Sequence, residues 1–106
     1  MVFATVPVED FRFVEGEEKV GTFPSSSFGR RQHCRDCGTP LTMRVVNQPE
    51  TIDFTVSTLD DPEIVEPGIH IFHGDQIGWF ETADALPRHE RFRPDTRGLE
   101  GSDPPA

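Results

Sequence analysis

The chemistry open to this chain begins with its two cysteines, Cys34 and Cys37. They stand in Arg31-Gln32-His33-Cys34-Arg35-Asp36-Cys37-Gly38-Thr39-Pro40-Leu41, a C-x-x-C-G arrangement. Two thiolates at that spacing can bite one soft metal ion, because a tight turn brings both sulfurs to the same side. Gly38 supplies the backbone freedom the turn needs, since its φ can be positive without a Cβ clash. Zinc held there would tie the strand before the turn to the strand after it. A structural zinc takes four ligands, so two sulfurs are a partial site. Redox catalysis at the pair is disfavoured, because a redox C-x-x-C normally sits at a helix N-terminus whose dipole stabilises the thiolate. Gly38, Thr39 and Pro40 lead into a strand pattern instead.

The other donors are weaker candidates. The histidines are His33, His70, His73 and His89. His33 abuts Cys34, and neighbours in an extended strand point to opposite faces, so it is a poor co-ligand. His70 and His73 fit a hydrogen-bonded strand histidine and an exposed turn histidine. Asp60, Asp61 and Glu63 lack the spacing of a calcium loop and fit a solvated turn with an Asx bond. Arg30 and Arg31 could hold an anion, although two arginines in an acidic chain usually form ion pairs. No Gly-rich phosphate loop, nucleophile elbow or H-E-x-x-H motif is present.

The elements that must position the cysteines are short. The chain has 106 residues, enough for one domain with a modest core, and only 34% are hydrophobic. Nineteen are Pro or Gly (10 and 9), which favours strands and turns over long helices. Nine Phe and one Trp must supply much of the buried area. The net charge of −9 repels phosphate backbones and anionic lipid, which argues against nucleic-acid or membrane-surface binding. No apolar run has the length of a spanning helix, and no signal-peptide pattern opens the chain, so the expected compartment is the cytoplasm.

Strand patterns fall on Met1–Val6, Phe11–Gly16, Val20–Phe23, Phe28–Cys34, Leu41–Val45, Thr51–Val56 and Ile69–Phe72. Leu41, Met43 and Val45 would share a core face, with Ile52, Phe54 and Val56 also inward. Trp79 and Phe80 read as an aromatic anchor, and Thr82–Leu86 as one helical turn capped by Thr82 or Asp84. Residues 96–106 lack the apolar content to pack and are expected to be a disordered tail. The sum is an antiparallel all-β domain over residues 1–95, with roughly six to eight short strands.

At this point the residues resemble a family. Phe11-Arg12-Phe13, Ser25-Ser26-Ser27, the Arg31–Leu41 block, Ile52-Asp53, Ser57-Thr58-Leu59-Asp60-Asp61-Pro62, His70-Ile71 and Trp79, in that order, resemble the glutathione-dependent formaldehyde-activating enzymes. The related centromere protein V group shares the pattern. The resemblance implies a β-tent of antiparallel sheets around a structural zinc. It further implies that Cys34 and Cys37 are two of that zinc's ligands, the others being a C-x-C pair near the family's N-terminus. A second, catalytic zinc sits on a C-x-C-x-x-C triad in the family. Its open position engages a thiol–aldehyde adduct, giving a carbon–sulfur lyase reaction on S-hydroxymethylglutathione.

Neither N-terminal cysteine motif is present here, and Met1–Pro7 resembles the strand that follows the triad. The expectation is therefore an N-terminally truncated member, with Cys34 and Cys37 as its metal residues and no catalytic residue of its own. Such a chain would be inactive as it stands, its partner in an active full-length form being a glutathione conjugate. The alternative is a non-catalytic zinc-binding module, in which two copies pool Cys34 and Cys37 into a four-sulfur site across a homodimer axis.

Overall fold

A computed structural model describes residues 1–94. The tail expected over 96–106 lies outside the described residues. The chain divides into two compact units, one over residues 1–65 and a second beginning at Glu66.

The first unit is one antiparallel sheet. Its strands are β1 (Phe3–Pro7), β2 (Val20–Phe23), β3 (Gly29–Cys34), β4 (Pro40–Val45) and β5 (Thr51–Thr55), in the spatial order β1-β5-β4-β3-β2. Strands β2 to β5 follow one another as neighbours, and β1 closes against the far side of β5, pairing Phe3 with Thr55 and Pro7 with Thr51. No α-helix occurs among the described residues. The all-β, antiparallel expectation is met, with five strands among the described residues rather than six to eight.

Register decides which side chains meet. Directly opposed residues of an antiparallel pair project from the same face. Thr42 opposes both Gln32 and Phe54, and Phe54 opposes Ala4. Ala4, Val6, Ile52, Phe54 and Thr42 therefore share one face. Phe11 stacks on Phe54 with centroids 5.8 Å apart, and Phe13 meets Phe11 edge-on at 5.2 Å. Ile52, Val56, Thr42 and Thr55 are buried, as is Gly29 at the start of β3. Ile52 and Val56 point inward as expected. Met43 opposes Arg31 and Asp53 and lies, like Val45, on the opposite face. The expected common core face of Leu41, Met43 and Val45 is therefore half-buried only, and the hydroxyl-bearing Thr42 between them takes the buried position.

A bulge marks the approach to the cysteine turn. Gln32 pairs with Thr42 but His33 pairs with Pro40, leaving Leu41 as the extra residue. The Thr55 hydroxyl donates to the carbonyls of Pro40 (2.9 Å) and Leu41 (3.4 Å) beside that bulge. A buried hydroxyl thus has its partners.

Three expected elements take other forms. Phe11–Gly16 is not a strand, although Phe11 and Phe13 are half-buried and Arg12 and Val14 exposed. The alternation was real, but the segment pairs with no strand edge and packs through its rings instead.

In the second unit, Ile69–Phe72 forms no strand: it carries an isolated parallel bridge between His70 and Arg88, with backbone bonds from the His70 N–H to the Pro87 carbonyl and from the Phe72 N–H to the Arg91 carbonyl, both 2.8 Å. Phe72 turns left-handed at φ 53°, which ends any extended run there. Its ring packs edge-on to Phe92 at 4.9 Å. Thr82–Leu86 is not helical. Pro87 has no N–H to give the Ala83 carbonyl, and its ring disfavours helical backbone at Leu86. The Arg88 guanidinium takes the carbonyls of Leu86 (2.7 Å), Thr82 (3.2 Å) and Asp84 (2.9 Å). Trp79 and Phe80 touch each other but are 82% and 58% exposed, so they anchor nothing among the described residues.

Candidate metal centre

Cys34 is the last residue of β3 and Cys37 lies in the turn that leads to β4. The turn closes through two backbone bonds: the Gly38 N–H donates to the Cys34 carbonyl at 2.8 Å, and the Cys34 N–H to the Thr39 carbonyl at 2.9 Å. Gly38 sits at φ 78° with open space where a Cβ would be. Its role is therefore conformational, since an L side chain would meet backbone strain there and no steric neighbour.

The 3-10 turn Glu17–Lys19, just before β2, holds this turn from the side. The Arg35 N–H donates to the Lys19 carbonyl at 2.8 Å, and the Arg35 guanidinium reaches the Glu18 carbonyl. Lys19 pairs with Asp36 at 3.0 Å, an exposed contact that contributes little by itself.

Both cysteines are free thiols, Cys34 half-buried and Cys37 exposed. The Cys37 sulfur lies 3.1 Å from the Thr39 hydroxyl. That hydroxyl, then the Thr39 backbone and the Cys34 thiol, lower the Cys37 pKa, against the opposing effects of desolvation and the Asp36 charge. A lowered thiol pKa favours the thiolate, the form that ligates metal. Thr39 was not singled out from the sequence as a functional residue; its place after C-x-x-C-G was the only available signal.

The donor set suits a soft ion but is half of what tetrahedral zinc takes. Among the described residues no third His, Cys, Asp or Glu stands with the pair to hold a metal. His33 alternates away from Cys34 and opposes Gly21. Its imidazole lies over that glycine, 2.9 Å from where a Cβ would stand.

The remaining candidates are placed as follows. Asp61 accepts the Glu63 N–H at 3.2 Å, the Asx turn expected of the acidic segment. In the second unit, His70 Nε2 lies 2.9 and 3.0 Å from the Asp84 carboxylate oxygens, a hydrogen-bonded histidine as expected. That bond, then the Leu86 N–H and the charges of His70 and Arg88, hold the Asp84 pKa below its ordinary value, outweighing desolvation. His73 is half-buried rather than exposed, with its N–H donating to the His89 carbonyl at 3.0 Å. Arg30 and Arg31 fall on opposite faces of β3. Arg30 donates to the carbonyls of Ser26 and Gly29 rather than forming the expected ion pair.

Comparison with known proteins identifies one family. The family model described as glutathione-dependent formaldehyde-activating enzyme matches residues 1–75. No curated protein and no solved structure matches the chain. Among the described residues no helix is long and apolar enough to cross a membrane.

Proposed function

The chain belongs to the glutathione-dependent formaldehyde-activating enzyme family, and from that premise we propose that it is a zinc-binding member serving carbon–sulfur lyase chemistry on thiol–aldehyde adducts of the S-hydroxymethylglutathione type. Cys34 and Cys37 are two ligands of a structural zinc that fastens the β3–β4 turn, and residues 1–95 make up the β-tent. The observation that carries this reading is the C-x-x-C-G turn, with two free thiols, one of lowered pKa, inside the matched segment.

The sequence has two cysteines, so the catalytic zinc needs ligands beyond those it holds, and the chain by itself is inactive. Zinc would supply Lewis acidity toward the adduct; this chain's own cysteines hold a structural ion. The test compares the chain with a form fused at its N-terminus to C-x-C and C-x-C-x-x-C segments. Each is incubated with zinc, glutathione and formaldehyde. Turnover by the fused form alone supports the reading, whereas no turnover by either removes the lyase assignment.

A second reading is favoured by the exposure of Cys37 and the lack of a third donor beside the pair among the described residues. Two copies pool four sulfurs around one zinc, as a non-catalytic module. Metal analysis and mass in solution separate the two: half a zinc per chain in a dimer supports this second reading, and a metal-free monomer refutes it.

A further inference from the structure

β3 and β4 bring Arg30 directly opposite Arg44. Opposed residues share a face, and like charges so placed repel. Both side chains are half-buried, so water screens them incompletely. The chain carries 19 acidic residues, yet among the described residues neither arginine forms an ion pair with a carboxylate. Arg30 is held by Nη1 alone, on the carbonyls of Ser26 (3.0 Å) and Gly29 (2.8 Å). Arg44 is held by Nη2 on the Pro49 carbonyl at 2.6 Å. These bonds fix both guanidinium groups and leave other N–H groups of each without a partner among the described residues.

The two arginines line a cavity of about 300 Å³ together with Thr22, Gln32, Val45, Val46 and Pro49. Gln32 is committed: its carbonyl accepts the Thr42 hydroxyl at 2.7 Å, and its amide reaches the Thr22 hydroxyl at 3.5 Å. The free polar capacity of the cavity is thus the donors of two cations, beside an apolar wall of Val46 and Pro49.

We propose that this cavity is a binding site for a small organic carboxylate, its anion shared between Arg30 and Arg44 and its organic flank against Val46 and Pro49. Guanidinium edges match a planar carboxylate through paired hydrogen bonds, and an anion between them turns repulsion into attraction. The apolar wall selects an organic acid over a free inorganic ion, which would leave it uncovered. The site is separate from the thiol pair: Cys34 lies four positions beyond Arg30 on β3, about 13 Å along the strand. It does not depend on the lyase reading.

Backbone amide NMR of the full chain tests this, with N-acetylglycine as probe, its neutral analogue N-acetylglycinamide, and inorganic phosphate. N-acetylglycine shifts the amides of Arg30, Arg44 and Val45 saturably, while the neutral analogue does not. R30Q and R44Q each weaken the response about ten-fold, the scale of one charge-assisted hydrogen bond. R31Q, on the other face, leaves it unchanged. R44K keeps the charge and loses the fork, so it folds as the parent does and binds more weakly. An equal response to the neutral analogue, binding of phosphate as tight as the carboxylate, or equal weakening by R31Q would overturn the proposal.

Discussion

The two units are held in different ways. In the sheet, backbone pairing continues past the strand ends: the Val56 N–H reaches the Val2 carbonyl (3.0 Å), Val8 reaches Glu50 (2.8 Å) and Val46 reaches Phe28 (2.8 Å). In the second unit, backbone bonds join residues 70–74 to 87–91, among them the His70 N–H to the Pro87 carbonyl (2.8 Å), the His89 N–H to the His70 carbonyl (2.8 Å) and the Phe72 N–H to the Arg91 carbonyl (2.8 Å). The loop before residue 87 is gathered by the side chains of Asp84 and Arg88. A ladder distributes the load over many equivalent bonds. The loop gathered on the Asp84 carboxylate and the Arg88 guanidinium concentrates it in a few side-chain bonds, so the stability of that loop should be local and sensitive to charge.

The largest effect expected from that contrast is at Ile52, 5% exposed in β5. Ile52→Ala should destabilise the sheet by about 2–4 kcal/mol through lost burial and a cavity, read as a lower denaturant midpoint. Gly38→Ala follows, at about 1 kcal/mol for holding a Cβ-bearing residue left-handed. With open space around it, this change should lower the midpoint without altering the core, and hydrogen exchange should quicken first at Cys34 and Gly38.

The smallest and most local effect belongs to Asp84. Asp84→Asn should quicken exchange of the His70, Leu86 and His89 amides while leaving those of Thr42 and Phe54 unchanged. Acid should act at the same place. The folded Asp84 pKa is depressed, so its contribution is present above the ordinary carboxylate value and is lost as pH falls through the lowered one. Carboxyl titration by NMR checks the sign: an Asp84 midpoint at or above that of an unstructured aspartate would contradict it.

Much of the sheet was legible because its signal is local. Val20–Phe23 is β2 as read, and β3, β4 and β5 fall within a residue or two of their patterns. The C-x-x-C-G turn was equally readable, since Gly38 had to be left-handed for the chain to reverse there. Register was not legible. The opposite faces of Ile52 and Met43, and the meeting of Arg30 with Arg44, follow from pairings between strands that no single segment encodes.

Around residues 69–88 the pattern misled for a related reason. Alternation at Ile69–Phe72 records possible burial but names no partner strand. At Thr82–Leu86 the capping residues were present, yet Pro87 and the Arg88 guanidinium removed the helix's own bonds. The resemblance carried the functional reading further than the residues alone, because two thiols do not make a closed metal site.

Cobalt(II) titration of the reduced chain reads metal binding at Cys34 and Cys37, since thiolate-to-metal charge transfer reports sulfur ligation. The expected result is a thiolate band that zinc displaces and that is lost in both Cys34→Ser and Cys37→Ser. Absence of that band in the parent chain, or its persistence in either variant, would contradict the assignment of these cysteines as metal ligands.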